Sequence, residues 1–288
     1  MSETAVDTIP VPTDEAFLRE ALEALPVCIE HCGCPDHWHA LWAGLKATGV
    51  LRGVHAQATF LRGMLKPYLV PGGRVMIAGA ADTGSLEVLN AVIADPAARF
   101  CVVDRCEAPL ELVRRRAATL GLELETVYAG LDEVRAGQPW DLVFIHYTLS
   151  FMDPASRRRM LEHLRQDLSG QGAVVCAVRH KQAGLAGGAA GPAGGWIDSI
   201  GRQLRQTYAG RPELLEPLLA WLPDYAHARQ RREDAMPHFD VLRDEFADAG
   251  FALREVHRNP GQAVTRVADL SPAGSVTTWL AVFTPQAA

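Results

Sequence analysis

The stretch "RVMIAGAADTG", residues 74–84, decides how the rest of the chain is read. A short apolar run ends in glycine and small residues, and a helix-like pattern follows, which is the order of a strand, a tight turn and a helix N-terminus. Gly79, Ala80, Ala81 and Gly84 are all small, so backbone there can come close to a ligand. Two positions where nucleotide-binding loops usually carry glycine hold alanine here.

Outward from that loop, short β-branched runs alternate with amphipathic helices, the pattern of a parallel sheet covered on both faces. The strands read as "RVMIAG" (74–79), "RFCVVDR" (99–105), "LETVYAG" (124–130), "WDLVFIHYT" (140–148) and "GAVVCAVRH" (172–180). Helices fall between them at 83–96, 108–121 and 153–168. Upstream, "TDEAFLREALEAL" (13–25) opens with a Thr-Asp cap and ends at Pro26, and two further helical stretches run to Pro67. Downstream, the glycine and alanine tract at 181–195 reads as a loop, and a helical insertion runs from Trp196 to about Pro237. The chain closes with a helix (239–250) and strands at 251–259 and 275–284, read as an antiparallel hairpin inserted in an otherwise parallel sheet. The expected fold is therefore α/β, a doubly wound, mostly parallel seven-stranded sheet with an antiparallel terminal strand.

At 288 residues and 48% hydrophobic, the chain can bury a large core without disulfides or metal. No apolar run approaches the ~20 residues needed to cross a bilayer, and the acidic first residues lack a signal-peptide layout, so no membrane partner and a cytoplasmic location are expected. A net charge of -6 argues against nucleic acid. The "RRR" run at Arg157 to Arg159 reads as a solvated helix face. In "CIEHCGCPDHWH" (28–39), Cys28, Cys32 and Cys34 crowd beside His31, His37 and His39 and could bind zinc. The spacing matches no Cys-x2-Cys pairing, and Cys101, Cys106 and Cys176 fall in or beside core strands, so no metal ligands are assigned.

From about Lys66 to the C-terminus, the order and spacing of these elements resemble the class I S-adenosylmethionine-dependent methyltransferase family. The resemblance rests on the loop "AGAADTG", on Asp104 closing "CVVDR", on "AGLDEV" (129–134), and on the strand and helix from Asp141 onward. It implies a Rossmann-like domain over 67–288, with residues 1–66 as a helical cap and a cap insertion at about 183–237. It implies S-adenosylmethionine as cofactor, held by Gly79, Ala80, Ala81, Asp82, Gly84, Asp104, Arg105, Leu131, Asp132 and His146. In that family an acid at the end of the second strand grips both ribose hydroxyls, here Asp104, and a side chain after the third meets the adenine edge, here Asp132 with Leu131 on the ring. The loop departs from the family at Ile77, where an acid is usual, and at Ala81, where glycine is; Asp82 is a candidate to compensate.

His146 and Tyr147 are the catalytic candidates, His146 because an imidazole titrates near neutrality and can take a proton from an attacking group. Trp196, Tyr208, Trp221, Tyr225, Tyr147 and Phe151 either line a cationic site or pack the cap. Arg229, Arg231 and Arg232 either clamp a substrate carboxylate or are solvated. The expected function is O-, N- or S-methylation of a small molecule. The alternatives are a cyclase or aminocarboxypropyl-type transferase releasing methylthioadenosine, and a binding module without catalysis; the oligomeric state, a homodimer included, is open.

Overall fold

The computed structural model describes residues 9, 12–49, 51, 53–181, 193–235, 238–258 and 276–286. Residues 182–192 of the glycine and alanine tract and the loop between the last two strands lie outside them; the ends of the tract, expected as loop, are strand at 181 and helix at 193–195. Strands β1 (Arg74–Ala78), β2 (Arg99–Asp104), β3 (Leu124–Tyr128), β4 (Trp140–His146), β5 (Leu168–Lys181), β6 (Phe251–Arg258) and β7 (Val276–Pro285) form one sheet in the order β3-β2-β1-β4-β5-β7-β6. β7 runs antiparallel between β5 and β6, and the β1 to β5 pairings are parallel. The expected terminal antiparallel insertion is thus present.

The apolar strands are continuous runs because both sheet faces are covered. Val75, Ile77, Val102, Phe144 and Val175 face helix α3 (Ala58–Leu65), α4 (Gly84–Ile93) and α5 (Glu107–Leu120). Met76, Ala78, Val103, Ile145 and Cys176 face α6 (Pro154–Asp167) and α9 (Phe239–Asp248). A third core joins α1 (Asp14–His31), α2 (Trp38–Ala47), α7 (Ala193–Thr207) and α8 (Pro212–Ala235) with Cys106, Ala108 and Leu112 at the start of α5. The first helices and the insertion therefore share one apolar core, whereas α3 packs on the sheet.

Two local expectations change. Helix α1 runs through Pro26 to His31, because Pro26 is exposed while Ala24, Leu25, Val27 and Cys28 are buried. Proline costs that helix one backbone bond, on a side where water can take the carbonyl, and burial of the opposite side carries it on. The arginine run is also divided. Arg157 is buried and makes a two-pronged pair with Glu245 of α9, both contacts at 2.8 Å, with Nη1 on Met152 O. Only a fork-shaped cation can bridge that carboxylate and the carbonyl together.

Candidate active site

Strand order reverses between β1 and β4, and a cavity of about 560 Å³ opens there, at the carboxyl ends of the strands where open parallel sheets bind ligands. Gly79 leaves β1 with φ +83° and donates to Val103 O at 2.8 Å. A Cβ at Gly79 would stand 2.6 Å from Thr148 Oγ1, and that hydroxyl is itself tied to Ala78 O at 2.8 Å. Glycine is required twice over, by the backbone angle and by the close approach. Ile77, whose position the family resemblance makes acidic, is 1% exposed within the core. The polar ties that steady the loop come instead from Thr148, Asp104 and Asp82.

Asp104 closes β2 with each carboxylate oxygen on a backbone N–H: Oδ2 accepts from Ala80 at 2.9 Å and Oδ1 from Cys106 at 2.8 Å. It closes a turn onto the residue before α5 and braces the loop. Burial pushes its pKa up against these bonds and the nearby His39. Each oxygen retains a lone pair, so the carboxylate can still accept from a diol in the cavity.

Asp82 lies in the cavity wall, but its carboxylate is engaged by the cap. Lys46 Nζ and Trp42 Nε1 each reach Oδ2 at 2.8 Å, and Gly84 N–H donates to Oδ1 at 2.7 Å. Burial raises the Asp82 pKa, yet the Lys46 charge and these hydrogen bonds overcome it and hold the carboxyl well below its ordinary range. Lys46, 3% exposed, also pairs with Glu20 of α1 at 2.8 Å. Gly84 stands behind the wall, where a Cβ would meet His55 Cε1 at 2.9 Å. Ala80, Ala81, Arg105 and Leu131 line the cavity, as does Asp132, whose Oδ2 accepts from Arg159 at 2.6 Å.

His146 and Tyr147 line the cavity from the end of β4. Gln57, fully buried, donates through Nε2 to Tyr147 Oη at 3.1 Å, which leaves its Oε1 to accept from His146 Nε2 at 3.3 Å. The imidazole therefore presents Nδ1 as its basic nitrogen. Burial pushes the His146 pKa down to about 4, so the ring is neutral at neutral pH rather than half-titrated. Tyr147 holds φ +60°, an uncommon angle for a tyrosine and one that concentrates at functional turns.

The cap side of the cavity was the hardest part to read in sequence. Arg232 of α8 donates to Asp36 Oδ2 at 2.6 Å, with its guanidinium 4.8 Å from the Trp38 ring centre and 4.3 Å from that of Phe151. Asp36 is 5% exposed. Among the expected aromatics, Tyr147 and Phe151 reach the cavity; Tyr208 and Tyr225 are buried in the cap core and Trp221 stacks on His37 at 3.8 Å. The Trp196 side chain lies outside the described residues. Trp38, Gln57 and Asp36 carried no sequence signal beyond being large or polar on a helical stretch.

The thiols are also regrouped. Cys28 is buried in the cap core, while Cys32, Cys34 and His39 meet Cys106 at the start of α5, with their ligating atoms within 4.8 Å of one another. Cys106 lies 67 residues from His39 in the chain, which is why spacing alone did not find it.

Sheet order, inserted antiparallel strand and ligand crevice together define a Rossmann-like fold of the class I S-adenosylmethionine-dependent methyltransferase type. The N-methyltransferase NodS from Bradyrhizobium japonicum WM9, in complex with S-adenosyl-L-homocysteine, is similar with a TM-score of 0.51 at 12% identity, over 91% of this chain and 98% of that one. A chain from the structure described as "Complex between the Haloferax volcanii Trm112 methyltransferase activator and the putative methyltransferase" gives 0.53 at 15% identity, over 88% and 97%. A Bordetella parapertussis chain described as a possible exported protein gives 0.53 at 16% identity, over 99% and 100%. At such identities the likeness speaks for the fold. No family model matches this chain, and no curated protein matches its sequence.

Proposed function

We propose that the chain is an S-adenosylmethionine-dependent methyltransferase acting on a small polar acceptor. The observation that carries this reading is the convergence of Gly79, Ala80 and Ala81, the Asp104 carboxylate and the His146–Tyr147 pair on one covered cavity at the switch point of the sheet. Its volume lies within the roughly 300–1,000 Å³ usual for small-molecule sites. The small-residue floor suits the methionine part of the cofactor, the free lone pairs of Asp104 suit a ribose diol, and Leu131 with Asp132 suits an adenine ring and its edge.

When bound, the sulfonium supplies an electrophilic methyl group. The chain's own residues then orient the acceptor and take its proton. His146 Nδ1 is the acceptor of that proton, and Gln57 holds the ring and the Tyr147 hydroxyl in place. Most of the acceleration comes from proximity, because the methyl donor is already activated.

Two features favour a small polar acceptor. The first helices and the insertion together roof the cavity, which disfavours a flat macromolecular substrate. Asp36 Oδ1 and Arg232 Nη1 are buried with no hydrogen-bond partner among the described residues. The Asp36–Arg232 pair lines the cavity on its cap side and gives that side a polar wall.

Calorimetry with S-adenosyl-L-homocysteine tests the reading. Asp104→Ala is expected to bind roughly ten- to a hundredfold more weakly, the equivalent of losing charge-assisted hydrogen bonds worth ~1.5–3 kcal/mol; unchanged affinity would remove the site assignment. With S-adenosylmethionine and a panel of small amines, phenols, carboxylic acids and thiols, S-adenosyl-L-homocysteine is the expected product. Methylthioadenosine in its place would show displacement at another carbon of the sulfonium.

A further inference from the structure

Three thiols and one imidazole meet where the cap touches the sheet domain. Cys32 and Cys34 follow α1, His39 lies in the first turn of α2, and Cys106 is the residue before α5. All four ligating atoms lie within 4.8 Å of one another, and His39 Nδ1 is 3.6 Å from both Cys32 Sγ and Cys34 Sγ. A tetrahedral zinc ion with sulfur at ~2.3 Å and nitrogen at ~2.0–2.1 Å places neighbouring sulfur and nitrogen ligands about 3.5 Å apart. The two 3.6 Å distances from His39 match edges of such a tetrahedron, and the remaining ligand pairs lie within 4.8 Å.

The surroundings of His39 point the same way independently. Its Nε2 lies 3.2 Å from Ala80 O, so that nitrogen carries the proton and donates, and Nδ1 is left with its lone pair toward the three sulfurs. A ligating histidine characteristically donates its other ring N–H to a carbonyl or carboxylate. Cys106, the residue just before α5, brings the fourth ligating atom to the cluster from the sheet domain. The cysteines are not paired in disulfides.

We infer that Cys32, Cys34, His39 and Cys106 form a structural site for a thiophilic divalent metal ion of the zinc class. Four protein ligands close the coordination sphere, so the ion is held rather than used in chemistry. Binding releases the three thiol protons to solvent and leaves three thiolates and a neutral imidazole on the metal. The ion joins the turn between α1 and α2 to the start of α5. Through His39 it also reaches Ala80, whose own N–H braces Asp104. The site thus locks the cap to two residues of the cavity wall, whichever ligand the cavity takes.

The test uses the full-length protein purified without chelator. Elemental analysis is expected to find zinc in a one-to-one ratio with the chain, and replacement by cobalt(II) should give the intense thiolate-to-metal absorption and visible bands of a tetrahedral site. Cys106→Ser and Cys32→Ser should each lose most of the bound metal, while Cys28→Ser, a nearby thiol outside the cluster, should keep it. If a ligand variant fails to fold, thiol labelling of the wild type decides the matter: labelling at Cys32 and Cys34 should be slow, and fast once a chelator is added. Metal-free protein that takes up no cobalt, full metal content in Cys106→Ser, labelling indifferent to chelator, or a disulfide within the cluster by mass spectrometry would each overturn the proposal.

Discussion

Gly79 is the position where a single methyl group should matter most. Adding a Cβ collides with Thr148, which is fixed by its bond to Ala78 O, and it also forces alanine into a left-handed angle. Gly79→Ala is expected to lower stability by about 1–3 kcal/mol and to weaken S-adenosyl-L-homocysteine binding by more than tenfold, read by thermal unfolding and calorimetry. His146 gives a prediction in pH. Its native pKa is pushed down to about 4 from an ordinary 6.5, so between those values the unfolded chain binds the proton and the native one does not. The stability from keeping the ring neutral is complete above pH 6.5 and falls away as pH drops toward 4, by about 1–3 kcal/mol. Urea unfolding of wild type and His146→Gln across that window should converge at the acid end, and parallel curves would count against the burial argument. That Gly79, Ala80, Ala81, Asp104, Leu131, Asp132, His146 and Tyr147 line one cavity could be read in the sequence because each ends or follows a strand whose apolar run is unmistakable. Asp82 was legible as a loop residue, but its engagement by Lys46 was not.

Lys46 is the tie between elements. It brings the charge of α2 to Glu20 on α1 and to Asp82 in the β1–α4 loop while itself almost wholly buried. Removing one member of a buried ionic cluster leaves uncompensated charge, at a cost of about 3–5 kcal/mol. Lys46→Met should show that loss in chemical denaturation, and adding Glu20→Gln should recover part of it by removing one stranded carboxylate. Helix α1 shows why element ends were harder to read than element types: Pro26 is a stop signal by local chemistry, and burial on the other side of the helix overrode it. Arg157 shows the same for charge. Its partner Glu245 lies 88 residues away, so a run of arginines that looks solvated by pattern contains one buried fork.

At the scale of the molecule, the cavity is walled by β1, β2 and β4 on one side and by α2 and α8 on the other. A ligand filling it touches both. Hydrogen exchange with and without S-adenosyl-L-homocysteine is therefore expected to slow in α2 and α8 together with the β1–α4 loop; protection confined to the loop would mean that the cap does not close on the ligand. No described helix is long and apolar enough to cross a membrane.

Local residue order was enough for the strands, the sequence of strands and helices, the small-residue loop and the acid that follows it, because parallel strands buried on two faces must be continuously apolar and their loops must be small where a ligand comes near. Ile77 does not belong with these: the sequence showed it only as a departure, and its 1% exposure in the fold explains why a hydrophobic residue can stand there while other groups hold the loop. What only the tertiary structure decided were the pairings between distant segments: Lys46 with Asp82, Asp36 with Arg232, Gln57 with His146 and Tyr147, and Cys106 with Cys32, Cys34 and His39. Each depends on how the cap settles on the sheet, and neither periodicity nor spacing within one segment encodes a contact whose partner lies tens of residues away.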